Sequence, residues 1–277
     1  MRGINLHITK HQLKESRGFT LIELLVATII GTIAVAAGFQ LFIDQNKSHI
    51  IQASLSDMQQ NGRAAVDELV DKVRQAGYRL PIGVKCIRSW DTNPDTIAIS
   101  FMSEPLCTAR LSAAMPQSSA ELKMTTSDLS CFQENTWAYI YDPSTSTGEF
   151  FFITAVQVAA GHMQHNLAQL SKAYPANSQV FMSDYFKYYV DRHDTLHPRF
   201  MMLKNGDPPI IYSDNIEDLQ FHYINASGAI ADTVTVDRYV REVEMQLTSR
   251  SEKSDLFLKH YRRDTLTTRV MVRNLGM

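Results

Sequence analysis

Arg17–Ile43 reads RGFTLIELLVATIIGTIAVAAGFQLFI. Gly18 meets Phe19, and from Phe19 to Ile43 an apolar run of 25 residues carries one charge, Glu23. About 20 apolar residues suffice to span a bilayer as a helix. A lone carboxylate in such a run costs roughly 2.5–3.5 kcal/mol at the membrane centre, so Glu23 needs a partner. If the chain is cut after Gly18, the new amine sits on Phe19, four residues before Glu23. Residues four apart share one helix face. Amine and carboxylate could then neutralise each other within one chain, or between neighbours stacked with a stagger.

The residues Gly18, Phe19, Thr20, Leu21, Ile22, Glu23, Leu24 and Leu25 resemble the type III signal of type IV pilins and type II secretion pseudopilins. The resemblance implies that a membrane prepilin peptidase cuts after Gly18 and methylates Phe19. It also implies that Glu23 guides assembly into a filament. No cofactor is implied.

The flanks agree. The leader, residues 1–18, holds Arg2, Lys10, Lys14 and Arg17 against Glu15. A basic segment before an apolar span predicts a cytoplasmic N-terminus and an exported remainder. A conventional secretory signal has a shorter apolar core and a cleavage site after it. Without the leader, 23 basic and 28 acidic residues remain, a net charge of −5. That argues against broad phosphate-backbone binding, which needs clustered Lys and Arg.

Beyond the span, Asp44 to Lys47 mark its exit. Leu55, Met58, Gly62, Ala65, Leu69, Val73 and Ala76 then recur three and four apart. This is the pattern of an amphipathic helix. Asp57, Gln60, Asp67, Asp71 and Arg74 lie on its other side, and Gly77 with Pro81 should stop it. Phe19 to Ala76 is thus expected as one spine, roughly 87 Å long at 1.5 Å per residue. Its apolar stripe needs a sheet to cover it. Gly31 and Gly38 are small residues seven apart in the span, suited to close helix approach in a bilayer.

Nine segments read as strands: 96–102, 137–142, 149–158, 179–190, 199–203, 209–212, 219–224, 239–248 and 265–273. They are rich in β-branched and aromatic residues. Turn signals such as Asp142–Pro143, Asn205–Gly206 and Ser227–Gly228 separate them. Val243, Met245 and Leu247 alternate with Glu242, Glu244 and Gln246, giving one buried and one wet face. Residues 103–136 are polar and poorly patterned, and read as a long irregular surface insertion. The expected fold class is α+β and pilin-like: a long N-terminal helix packed on a mainly antiparallel β-sheet domain. The division is leader 1–18, transmembrane half 19–43, amphipathic half 44–78 and β-rich domain 79–277.

Two further stretches resemble minor pilins of the PilW type, related to the GspJ pseudopilin: Val73-Arg74-Gln75-Ala76-Gly77-Tyr78 and Asp214 to Tyr223. Val270-Met271-Val272-Arg273-Asn274 resembles their ending. The length suits the PilW type better than the GspJ type. The resemblance implies a structural subunit, not an enzyme, that helps initiate or cap a type IV pilus. Its partners would be prepilin peptidase, other minor pilins and the major pilin, the inner-membrane assembly platform and the lipid bilayer. Its place would be the inner membrane, single-pass, with a periplasmic globular domain, and then the pilus or pseudopilus. The alternatives are a minor pseudopilin at a secretion filament tip, or a DNA-uptake minor pilin.

Other chemistry is thin. Two of Cys86, Cys107 and Cys131 can form a disulfide in an oxidising compartment, with the pairing open. Their spacings fit no usual zinc pattern, and no metal is expected. His193 and His197 are four apart, but flanking Tyr188–Val190 and Pro198 argue against the helix a metal pair would need. His162 and His165, like His7 and His11 in the leader, make a weaker pair still. The turn Asp142–Glu149 lacks the ordered spacing of a calcium loop. Lys259, His260, Tyr261, Arg262 and Arg263 form the basic cluster on which a DNA reading would rest.

Overall fold

A computed structural model describes residues 18–81, 84–102, 107–125, 129–166, 170–205, 207–255 and 259–274, with backbone alone at 238. The leader apart from Gly18, with His7 and His11, lies outside the described residues, as does Gly206. The chain divides into two units, Met1–Gln52 and Ala53–Met277.

One helix, Leu21–Gln75, runs through both units. In the first unit its side chains are almost all exposed, including Phe39, Leu41 and Phe42. In the second unit, Met58, Gly62, Ala65, Leu69 and Val73 are buried, following the three-and-four spacing of the sequence. The helix stops where expected. Gly77 takes φ +76°, and its N–H donates to Ser100 O at 2.9 Å rather than continuing the helix.

The fold class is α+β, with one long N-terminal helix and antiparallel strands. The strands form three sheets rather than one. A five-stranded sheet runs in the order Ile87–Trp90, Thr96–Phe101, Asp184–Asp191, Arg199–Lys204, Ile210–Asp214. A four-stranded sheet runs Ile230–Ala231, Ile216–Asn225, Val240–Arg250, Arg263–Met271. These two sheets and the helix stripe enclose the first core, with Ala65, Leu69 and Val73 against Ile97, Tyr188, Phe200, Phe221 and Met245. Glu68, beside the stripe, is gripped rather than solvated. Tyr188 donates to its Oε1 at 2.6 Å and Tyr212 to its Oε2 at 3.3 Å.

The third sheet has six strands: Thr108–Arg110, Gln179–Phe181, Thr136–Asp142, Thr147–Gln157, His162–His165, Leu122–Lys123. It makes a second core that contains Leu111, Leu122, Leu129, Phe132, Ile140 and Phe151. Here the reading of 103–136 as a surface insertion is corrected. Its described residues supply two short strands and much of this core. Their apolar residues are irregularly spaced because two- and three-residue strands are too short to show a period. The expected strand 179–190 is also divided. It leaves the six-stranded sheet after Phe181 and enters the five-stranded sheet at Asp184.

The structure joins Cys107 to Cys131, across the irregular stretch, with Cα atoms 5.7 Å apart. Closing a loop of this size contributes about 3 kcal/mol in the chain-entropy picture. Cys86 stays free and buried. Without reductant, iodoacetamide should leave the native chain unlabelled and label one thiol, Cys86, after denaturation. Peptide mass spectrometry checks this; label on Cys107 or Cys131 would contradict the pairing.

Candidate processing and assembly site

The N-terminal site is built from a helix start. The first turns of a helix leave backbone N–H groups without partners. Thr20 precedes the first helical residue, Leu21, and Glu23 lies three residues further on. Thr-x-x-Glu is the pattern of a capping box. The Glu23 N–H donates to Thr20 Oγ1 at 3.3 Å, and the Thr20 N–H donates back to Glu23 Oε2 at 3.0 Å. The Thr20 hydroxyl also lies 3.0 Å from that same oxygen. The lone carboxylate of the apolar run therefore has a local partner, and it is Thr20. The pairing with a Phe19 amine needs a cut chain. The sequence signal for Thr20 is the Thr-Leu-Ile-Glu spacing itself.

Gly18 and Phe19 stand just outside the helix, both exposed. A Cβ added to Gly18 would meet nothing within 4 Å. Nothing in this chain's packing asks for glycine there, so a requirement for it must come from another molecule. Gly31 and Gly38 are equally open to an added Cβ. The helix Leu21–Gln75 is long and apolar enough to cross a membrane.

The remaining candidates are tied into the second unit. Cys86 donates its Sγ–H to Asp237 Oδ2 at 3.1 Å, and its N–H reaches the same oxygen at 2.7 Å. Burial, with the Asp237 carboxylate beside it, pushes the Cys86 thiol far above its usual range. Such a thiol is a poor nucleophile. His193 and His197 lie in a loop, with His197 Nδ1 2.9 Å from Asp194 Oδ2. His162 Nδ1 lies 3.1 Å from Glu121 Oε1. The ring nitrogens of His165 lie 3.0 and 2.9 Å from the Asn166 and Ala120 carbonyls. Among the described residues, no group of three His, Cys, Asp or Glu is placed to hold a metal.

Asp142 is occupied by its own turn. It accepts from the Ser144 N–H and hydroxyl, from Thr145 at 2.8 Å and from Lys172 Nζ at 3.2 Å. Burial opposes its charge, but those donors hold its carboxyl well below the usual carboxylate range. Lys172 brings a positive charge to the side of this turn where a calcium ion would have to bind.

The two arginines of the basic cluster are paired in place. Arg262 Nε donates to Asp255 at 2.7 Å, and Arg263 Nη2 donates to Glu217 at 2.8 Å. The Tyr261 ring lies under the Arg250 guanidinium, 4.2 Å from its centroid. Charges already paired have little left for a phosphate backbone.

The family model of the prokaryotic N-terminal methylation motif matches residues 13–39. Among curated proteins none matches the chain. Among solved structures, a type IV-like pilin from Thermus thermophilus is similar at 10% identity and a TM-score of 0.40. The match covers 80% of this chain and 99% of that one, and it is too faint to argue from. The matched motif, at the start of a long apolar helix leading into an antiparallel β-rich unit, supports a type IV pilin-like protein, a pilin or pseudopilin subunit.

Proposed function

We propose that the chain is a minor pilin of the PilW type, a structural subunit that helps initiate or cap a type IV pilus. The observation that carries this reading is the methylation motif set on a membrane-length helix. Prepilin peptidase cuts between Gly18 and Phe19 and methylates Phe19. The helix anchors the subunit in the inner membrane, with a cytoplasmic N-terminus and a periplasmic β-rich domain, and later enters the filament core. Glu23 sets register against the Phe19 amine of a neighbour. The subunit does no chemistry of its own, binds no cofactor, and works through other minor pilins, the major pilin and the assembly platform.

The runner-up is a minor pseudopilin at the tip of a secretion filament, which shares every one of these features. A DNA-uptake role draws less support, because Arg262 and Arg263 already sit on carboxylates.

A strain lacking the chain separates the first two. Sheared surface filaments and exported enzymes are quantified from one culture. Filaments lost with export intact is the expected result. Filaments intact with enzymes retained in the periplasm would make the chain a secretion pseudopilin.

The processing site is tested by Gly18→Glu. It should leave an uncut precursor, larger by the leader, because an added Cβ meets nothing in the fold and any effect must arise at the peptidase. A mature-length band would move the cut elsewhere.

The two roles of Glu23 separate by substitution. Thr20→Val removes the cap hydroxyl but keeps the carboxylate, while Glu23→Ala keeps the hydroxyl and removes the charge together with the carboxylate half of the capping box. Loss of a cap costs a helix about 1 kcal/mol. Incorporation into sheared filaments should therefore fall several-fold at most in Thr20→Val and be nearly abolished in Glu23→Ala. Equal incorporation of both variants would reduce Glu23 to a helix cap.

A further inference from the structure

An open sheet edge offers unpaired N–H and C=O groups to any passing strand, and proteins blunt such edges by shortness or charge. The three sheets have six edges among the described residues, and five are blunted. Ile230–Ala231 and Leu122–Lys123 have two residues each, and Thr108–Arg110 has three with an exposed arginine. Ile87–Trp90 has four residues, and Lys187 Nζ lies 5.0 Å from the centroid of its Trp90 ring. Arg263–Met271 is long, but Arg263 and Arg269 guard it, bound to Glu217 and Glu244.

Ile210–Asp214 differs in its side chains: its pairing shifts register opposite Phe200 and Met201, but what it exposes is apolar. It reads Ile-Ile-Tyr-Ser-Asp, and Ile210, Ile211 and Tyr212 are 53%, 48% and 38% exposed. It pairs on one side with Arg199–Lys204. Pro208 and Pro209 precede it, and prolines have no N–H to offer, so the pairable edge starts at Ile210. The surroundings are acidic. Asp207 and Asp214 stand at its two ends, and Tyr212 and Ser213 bind Glu68 and Asn61 of the helix, next to Asp67 and Asp71. Partial burial, then the charges of Glu68, Asp67 and Asp71, push the Tyr212 phenol up. Arg199 lies 3.8 Å from Asp214 and Lys72 lies 3.7 Å from Asp71. Among the described residues, no ion pair offsets Asp67 or Asp207.

We propose that Ile210–Asp214 is a docking edge that takes up, as an added strand, an extended segment of a partner protein with apolar residues in its middle and lysine or arginine at its ends. Main-chain hydrogen bonds supply affinity in such pairing, and side chains at alternate positions supply choice. The Ile210–Tyr212 strip receives the apolar middle. The carboxylates at both ends and on the helix select basic termini and repel acidic ones. The proposal concerns this surface alone and stands whichever filament, if any, contains the chain.

The test uses the full chain in lipid nanodiscs and three labelled peptides, KVTVTVK, EVTVTVE and the strand-breaking KVTPTVK. Binding is read by fluorescence anisotropy, and its location by hydrogen exchange. KVTVTVK should bind about tenfold tighter than either other peptide, a difference two or three charge contacts can supply. It should slow exchange within residues 210–214. Ile211→Lys, which guards this edge as the others are guarded, should weaken it about tenfold. Asp207→Lys, placed in the preceding loop where the fold is not at stake, should bring the Lys- and Glu-ended peptides together. Equal binding of the three peptides, protection elsewhere, or indifference to both variants would overturn the proposal. So would a dimer of the chain alone that Ile211→Lys returns to monomer, since the occupant would then be a second copy.

Discussion

The stripe Met58–Gly62–Ala65–Leu69–Val73 decides how the second unit is built. In proteins most of a helix's stability comes from packing an amphipathic face rather than from propensity. Ala65, Leu69 and Val73 are fully buried, and each large apolar side chain so buried contributes about 1.5–3 kcal/mol. One sheet would leave a flank of that stripe wet. Two sheets meet on it instead, with Tyr188 and Phe200 from one and Phe221 and Met245 from the other. Gly62 lets the four-stranded sheet come close, since an added Cβ would lie 3.2 Å from Leu266 Cδ1 and Ser249 Oγ. The polar atoms on the flank are answered as well: Glu68 by two tyrosines, and the Asn61 carbonyl by Ser213. The second half of the helix is covered along one stripe, and the first half exposes its apolar side chains.

The six-stranded sheet follows a different logic. It receives nothing from the helix stripe and must close a core of its own. Its edge strands are two and three residues long, too short to hold by pairing alone. Buried residues between strands, Met115, Leu129 and Phe132 among them, fill the space, and the Cys107–Cys131 bond fixes the connection. A small third cluster joins this sheet to the rest. Tyr139, Tyr141 and Phe181 from the six-stranded sheet meet Val84 and Met102 there, and the Phe150 ring lies tilted against Tyr185 of the five-stranded sheet, 5.1 Å between centroids.

What could be read in advance follows from period and length. The helix was legible because its stripe repeats over more than twenty residues, and Gly77 is a stop signal with one physical meaning. Nine long strands were legible for the same reason. Strands of two to four residues complete no period, so Thr108–Arg110 and Leu122–Lys123 were invisible, and their polar surroundings suggested surface. The division into three sheets was beyond reach, because alternation says which side of a strand is buried but not against what. At the N-terminus, Gly18, Phe19 and Glu23 were legible as a motif, whereas Thr20 needed the geometry. The carboxylate reads as lacking a partner only when charges alone are considered, and the partner is a hydroxyl and a backbone N–H.

That partner changes the meaning of Glu23. A carboxylate with no contact in the bilayer would drive assembly by relief of its own cost. Here the cost is already reduced by two donors from Thr20, which a cut after Gly18 leaves in place, since both belong to a residue beyond it. In the proposed filament a neighbour's amine would have to offer something stronger than the cap. It can, because the Thr20 donors are neutral, whereas an amine brings an opposite unit charge whose attraction grows as the surrounding dielectric falls. The amine need not break the cap to gain this, because a carboxylate has about four acceptor sites and Thr20 engages a single oxygen, Oε2. In the proposed assembly the cap holds Oε2 and Oε1 is the oxygen left for an incoming subunit. Thr20 would then fix the direction of the carboxylate and the amine would draw on its charge.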